Sequence, residues 1–421
     1  MTPETAWAEA MKFENRPNPY PFFDELRKTP VVHVGNGIYV VTGYRELMTL
    51  AHDPRISSDL RHLKAWAAGK AGSESEPDAS LEAYGEHGNM IASDPPDHDR
   101  MRRQAMRHFG PPHTPNLIGS TEPAIQRLSN ELLDKAKGKT RIDIVDDYAY
   151  PVPVMVICKI LGVPLKDEPQ FHAWIYDFMQ GIMDIGPDAA TEEGKARKEK
   201  GQAGAAALME YLTDLITGYT KKPADTVLSR MVHCDGPDGP MTPREILTNA
   251  ALLLVAGHDS TVNTISHCVL TVLRNPGSFE RLRRRPELIP GAIEEVLRLE
   301  SAVQFFPSRS ATADIEIGGT VIPKGSPVQL MYGAANRDPL RFLNPNEFDP
   351  ERPDNQHFGW GSGIHTCFGG PLARLEVNLA LETFLRRVEN PQLVVDPPEY
   401  RRSNVFRGPR HLFVEFDSIR D

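Results

Sequence analysis

His357-Phe358-Gly359-Trp360-Gly361-Ser362-Gly363-Ile364-His365-Thr366-Cys367-Phe368-Gly369-Gly370 is the stretch on which the reading of this chain turns. One cysteine closes a loop that carries Gly359, Gly361 and Gly363, and Gly369 and Gly370 follow it directly. Glycines at that density imply a backbone that turns tightly and approaches something flat and bulky. From Pro371 the pattern becomes helical: Leu372, Leu375, Val377, Leu379, Leu381, Phe384, Leu385 and Val388 cover a broad apolar face. Cys367 therefore sits at the mouth of a helix, where the dipole and free N–H groups favour the thiolate. A lone thiolate held this way suits an axial ligand to haem iron, where its electron density helps cleave an O–O bond.

The stretch resembles the haem-thiolate loop of the cytochrome P-450 monooxygenases, in which Phe-x-x-Gly-x-x-x-Cys-x-Gly precedes a buried helix. Gly361, Gly363, His365, Cys367 and Gly369 match, and Trp360 stands where the family usually has Phe. The resemblance implies that Cys367 ligates the iron. Trp360, Gly361, His365 and Gly369 would then belong to the cofactor site. A single short motif also fits a buried cysteine in a glycine-rich turn, so the rest of the chain has to decide.

Composition narrows the field. With 421 residues, 40% hydrophobic and 25% charged, the chain has the make-up of a soluble globular protein with ample core. A net charge of −10 argues against a general nucleic-acid binder and gives no pull toward anionic membranes. Cys158, Cys234, Cys268 and Cys367 are scattered, without a CxxC pair or zinc spacing, which suits a reducing compartment. Met1 to Arg16 has no basic and apolar leader, and the apolar run Ala250 to Ala256 is too short to span a bilayer. A cytoplasmic protein with no membrane or nucleic-acid partner is expected.

The second chemical stretch lies in a long helix. Thr242-Pro243-Arg244-Glu245 is a capping box with proline at the first helical position. The helix should run to about Arg274, roughly 45–50 Å at the usual rise per residue. No Lys or Arg falls between Arg244 and Arg274, so its centre is buried. Into that centre the sequence puts Ala256-Gly257-His258-Asp259-Ser260-Thr261. A carboxylate beside hydroxyls in an apolar helix is costly unless it has a role or a partner. The segment resembles the family's oxygen-binding Ala/Gly-Gly-x-Asp/Glu-Thr-Thr. That implies that Ala256 and Gly257 border the cofactor, and that Asp259 and Ser260 organise proton delivery to dioxygen, with Thr261 able to share the task. Serine stands where the family usually has threonine. His258, at the variable position, is expected to face away from the iron.

Three further segments complete the pattern. In Ser93-Asp94-Pro95-Pro96-Asp97-His98-Asp99-Arg100-Met101-Arg102, His98 and Arg102 are four apart and share a helix face. A solvated basic helix and a carboxylate-binding pair fit that face equally well. The match to Asp-Pro-Pro-x-His-x-x-x-Arg implies that His98 and Arg102 bind haem propionates. By the same resemblance Arg309 and His365 join them, and Arg100, Arg103 and Arg107 form a face for an acidic electron donor. Glu295 and Arg298 on one helix, with Arg352 downstream, match the family's structural Glu-Arg-Arg core. Val31 to Thr42 alternates around Gly35-Asn36-Gly37, a hairpin signal, and Ala311 to Val328 reads as short strands.

The resemblance spans nearly the whole chain and implies a mainly α fold with small β-sheets. This is the cytochrome P-450 fold, a triangular helical prism with haem b buried between the long helix and the Cys367 loop. We expect one haem domain over 1–421, its β part mainly 31–58 and 303–330, without a fused reductase and acting as a monomer. The implied reaction is hydroxylation or oxidative dealkylation of a small apolar organic substrate with dioxygen. Electrons would come from NAD(P)H through a ferredoxin reductase and ferredoxin. A peroxide-driven peroxygenase or a non-enzymatic haem sensor would also keep Cys367, but neither needs the Asp259–Ser260 pair. The substrate would meet the 59–90 loop, the 170–190 hairpin, Asn249 to Gly257, Val303 to Pro307 and Asn404 to Phe406.

Overall fold

The helix Pro243–Arg274 is the axis of the molecule. In the computed structural model, which describes residues 1–59, 61–62, 88–110, 114–181, 183, 186–234, 236, 239–306 and 309–421, it runs unbroken for 32 residues. Its start follows from the sequence. The Thr242 hydroxyl accepts the Glu245 N–H at 3.2 Å, and the Glu245 carboxylate accepts the Thr242 N–H at 2.8 Å. Pro243 has no N–H to lose. Its middle and end bury Leu253, Leu254, Val262, Ile265, Val269 and Leu270 against the helices Pro151–Leu161, Glu192–Lys221, Ile289–Leu299 and Gly370–Arg387.

Further helices are Tyr44–Ala51, Glu122–Asp134, Pro151–Leu161, Glu168–Gly181 and Glu192–Lys221. Helix Pro151–Leu161 ends at Gly162 in the left-handed conformation, φ +89°, as a C-terminal glycine commonly does. Pro3–Met11 is also helical, capped by Thr2, though its weak periodicity hides it in the sequence. The hairpin Val31–His33/Tyr39–Val41 pairs Val31 with Val41. Its second strand runs parallel to Val328–Met331, which pairs antiparallel with Phe305–Phe306, making one four-stranded sheet. Arg141–Asp143, Gln392–Leu393 and Phe413–Glu415 form a separate three-stranded sheet. Among the described residues no helix is long and apolar enough to cross a membrane.

Behind the cysteine loop, Glu295 and Arg298 are fully buried and doubly bonded, at 2.7 and 2.8 Å. Arg352 Nε adds 3.1 Å contacts to both carboxylate oxygens. Arg298 also donates to the carbonyls of Asn336 and Pro345, at 2.9 and 2.7 Å. A buried pair is tolerable only when its remaining donors are satisfied in this way. Most of the expected 59–90 loop lies outside the described residues, as do residues 182, 184, 185 and 307 of the other expected substrate segments.

Candidate active site

The cysteine loop is a tight coil whose hydrogen bonds close on themselves. Cys367 N–H donates to Trp360 O at 2.8 Å, Gly361 N–H to Phe358 O at 2.8 Å, and Thr366 N–H to Gly363 O at 3.1 Å. Gly361 and Gly363 carry φ of +70° and +69°, which side chains rarely adopt. A Cβ at Gly363 would also stand 2.1 Å from Ala51 O. Gly369 is different: its φ is ordinary and a Cβ there would meet only Cys367 Sγ, at 3.8 Å. Its contribution is the N–H. Cys367 opens onto the cavity; the protein packed around it pushes its thiol up, while the N–H groups of Gly369 and Gly370 and the charges of Arg102 and Arg374 pull it down.

The loop faces the long helix across a cavity of about 290 Å³. Cys367, Trp360, Gly361, His365 and Gly369 line one side, and Ala256, Gly257, Ser260, Thr261 and Thr264 the other. Arg102 and Arg309 line it as well. Beside them His98 is 1% exposed and packs edge to face on His365, ring centroids 4.6 Å apart. His98 Nδ1 meets Asp99 at 2.7 Å, and its buried Nε2 has no partner. His365 Nε2 bonds the Ser58 hydroxyl at 2.8 Å. Burial, together with Arg309, His98 and Arg102, pushes His365 down to about 2. Four basic side chains thus converge on one rim. Arg100, by contrast, turns away and forms an ion pair with Glu245 at the start of the long helix, which removes it from the expected basic face.

On the long helix two neighbours point apart. The Ser260 hydroxyl lies on the cavity side and donates to Ala256 O at 2.9 Å. Asp259, 5% exposed, is turned behind the helix, where Arg401 Nη1 donates to it and Asn263 Nδ2 lies 3.4 Å away. Gly257 borders the cavity, but its missing side chain makes room for Ile157 of the crossing helix, which a Cβ would approach to 2.8 Å.

Three residues of the site carry no mark in the sequence. Arg401 sits in the C-terminal segment, 142 residues from the carboxylate it holds. Glu294 accepts from Trp360 Nε1 at 2.9 Å and Arg374 Nε at 2.7 Å, and lies 3.1 Å from His357 Nε2. The tryptophan in place of phenylalanine thus ties the loop to the helix Ile289–Leu299. Burial opposes the charge of Glu294, yet these three partners outweigh it and hold the carboxyl down at about 2. Glu376 lines the cavity with an unpartnered Oε1, and burial raises its carboxyl well above the usual range. In the sequence it reads as an exposed position of an amphipathic helix.

The family model for cytochrome P450 matches residues 5–416. The chain belongs to the cytochrome P450 family. It is 35% identical over 417 residues to the biotin biosynthesis cytochrome P450 of Bacillus subtilis, covering 98% of both chains. It is 34% identical to the 6-deoxyerythronolide B hydroxylase of Saccharopolyspora erythraea, covering 94% of this chain and 96% of that one. The crystal structure of P450BioI in complex with hexadec-9Z-enoic acid ligated acyl carrier protein superposes with a TM-score of 0.83 at 34% identity. That match covers 96% of this chain and 99% of the other. As a P450 the protein is a monooxygenase and an oxidoreductase, and its cofactor is haem.

The residues present in this P450 fit that group. The cavity is lined by a thiol from the cysteine loop and by a hydroxyl-bearing stretch of the long helix. Its rim holds two arginines and two histidines, with the orphaned Nε2 of His98 among them. The two arginine charges beside these buried rings make a place for two carboxylates, which would offset the repulsion between the guanidinium groups.

Proposed function

We propose that this P450 uses haem b with the Cys367 thiolate as iron ligand, acting on a small apolar organic substrate by hydroxylation or oxidative dealkylation. Electrons come from NAD(P)H through a ferredoxin reductase and ferredoxin, in the cytoplasm, and the chain works as a single haem domain. The observation that carries the reading is the placement of Cys367 and Ser260 on opposite walls of one cavity with a cationic rim. The bound haem supplies dioxygen activation and oxygen insertion. The chain's own residues do the rest. The N–H groups of Gly369 and Gly370 favour the thiolate. Arg102, Arg309, His98 and His365 hold the propionates. Leu252, Val255, Val303, Phe306 and Phe406 give the substrate an apolar surface and exclude water. Among the described lining residues the charged ones are Arg102, Arg309 and Glu376, and the two arginines belong to the propionate rim. An acyl chain presented by a carrier protein, as in the P450BioI complex, is one form such a substrate could take.

On this reading the Ser260 hydroxyl, which donates to Ala256 O at rest, hands a proton into the cavity, and Asp259 replenishes it from behind the helix. The test is the absorption spectrum of the reduced protein under carbon monoxide. A strongly red-shifted Soret band in the wild type that disappears in Cys367→Ala is expected. An unchanged band in the variant would sink the assignment of the ligand.

A further inference from the structure

Behind the long helix, on the side away from the cavity, four elements bring polar side chains together and leave them incompletely bonded. His258 is 2% exposed and its Nδ1 has no partner. Its ring lies nearly parallel to that of His172 at 5.8 Å and packs against Tyr150 at 5.0 Å. Tyr150 and His172 meet edge to face at 4.5 Å. The Nδ1 of His172 is buried without a partner, and so is the Nε of Arg401, whose Nη1 holds Asp259. At the outer end, the Tyr150 hydroxyl donates to Glu168, a half-buried residue that opens the helix Glu168–Gly181. The other charged or titratable groups facing the cluster are Cys158, Tyr176 and the ion pair of Arg410 with Asp146.

Three orphaned nitrogens around one seam do not suit a dry core. Buried polar atoms of this kind are normally bridged by ordered water. A neutral imidazole donates at one nitrogen and accepts at the other, so a run of imidazole and water passes a proton without storing charge. Burial, with His172 and Arg401, holds His258 down to about 3. Burial lowers His172 as well, with Glu168 opposing. Both rings are therefore mainly neutral at pH 7, the state in which they can relay.

We propose that Glu168, Tyr150, His172 and His258 form a water-bridged proton path from the outer surface to Asp259, entering opposite the substrate cavity. The path rests on the reading of Asp259 and Ser260 given above. Each transit takes one proton from solvent at the Glu168 end and delivers one to the Asp259 carboxylate. Tyr150 and the two rings return to their starting protonation, and no oxidation state changes. His258 and His172 are positioning residues that touch neither substrate nor haem.

The experiment compares wild-type holoenzyme with His258→Phe, His258→Asn and His172→Phe, reduced by a surrogate ferredoxin and reductase. The Phe variants should keep the thiolate-type carbon monoxide spectrum and the substrate-induced spectral shift. Product formed per NAD(P)H should fall about tenfold in them, with a larger solvent isotope effect on turnover. His258→Asn, which keeps a polar atom near the Nδ1 position, should recover most of the loss. Independently of turnover, histidine-labelled NMR of the holoenzyme should show the His172 titration moving when His258 is replaced. Unchanged coupling and isotope effect in His258→Phe, or a His172 titration blind to His258, would overturn the path. A wild-type protein without the thiolate spectrum would instead overturn the functional reading, and the path with it.

Discussion

The two walls of the cavity are built on opposite principles. Behind Cys367, apart from Glu376 with its one unpartnered oxygen, Glu294 and Glu295 sit in networks in which every carboxylate oxygen has a partner: Trp360 and Arg374 for one, Arg298 and Arg352 for the other. Behind Ser260, the carboxylate of Asp259 is held by Arg401, but Arg401 Nε, His258 Nδ1, His172 Nδ1 and Asn263 Oδ1 are left over. A fully satisfied buried network is rigid and specifies one geometry. A partly satisfied one admits water and lets hydrogen bonds exchange. The thiol side fixes a position, and the helix side keeps protons mobile.

The comparison can be broken most severely on the rigid side. Arg298→Met leaves the buried Glu295 carboxylate with Arg352 and the Asp349 N–H, and strips the donors from Asn336 and Pro345 carbonyls. Breaking such a pair costs about 3–5 kcal/mol. Urea unfolding of the holoenzyme should show that loss, and a change within error of zero would mean that the network does not stabilise the wall. On the mobile side, Asp259→Asn should lower kcat by about 10²-fold while the substrate Kd, read from the spectral shift, stays put. Loss of both together would make Asp259 a structural residue like Glu295.

A smaller effect is expected from pH. Glu294 has a depressed folded-state value, about 2 against an ordinary 4.5, so its stabilisation is complete above about pH 4.5 and is lost as pH falls toward 2. Denaturation of wild type and Glu294→Gln should converge over that interval, while a constant gap between them would exclude the linkage. Smallest of all, Trp360→Phe removes one hydrogen bond to Glu294 and restores the residue usual in the family. It should cost about 1 kcal/mol and leave the thiolate spectrum in place.

Much of this was legible along the chain because the signals are local. The capping box sets the start of the long helix within four consecutive residues. The glycines at 361 and 363 need their positive φ whatever surrounds them. His98 and Arg102 share a face because four residues are about one helical turn. Glu295 and Arg298 pair for the same reason, at three residues apart. Arg100 was not legible: its spacing suits the basic face, and only the approach of Glu245 from another helix takes it away.

The sequence by itself determined that Asp259 and Ser260 diverge, since successive helical residues are about 100° apart. It could not say which of them would face the thiol. That phase was decided by the tertiary structure: by Ile157 pressing on Gly257 and by Arg401 arriving from the C-terminal segment to claim the carboxylate. His172 and His258 meet for the same reason, across elements far apart in the chain. Helical periodicity is a property of the backbone, whereas the partner that gives each face its chemistry is found only when distant segments pack.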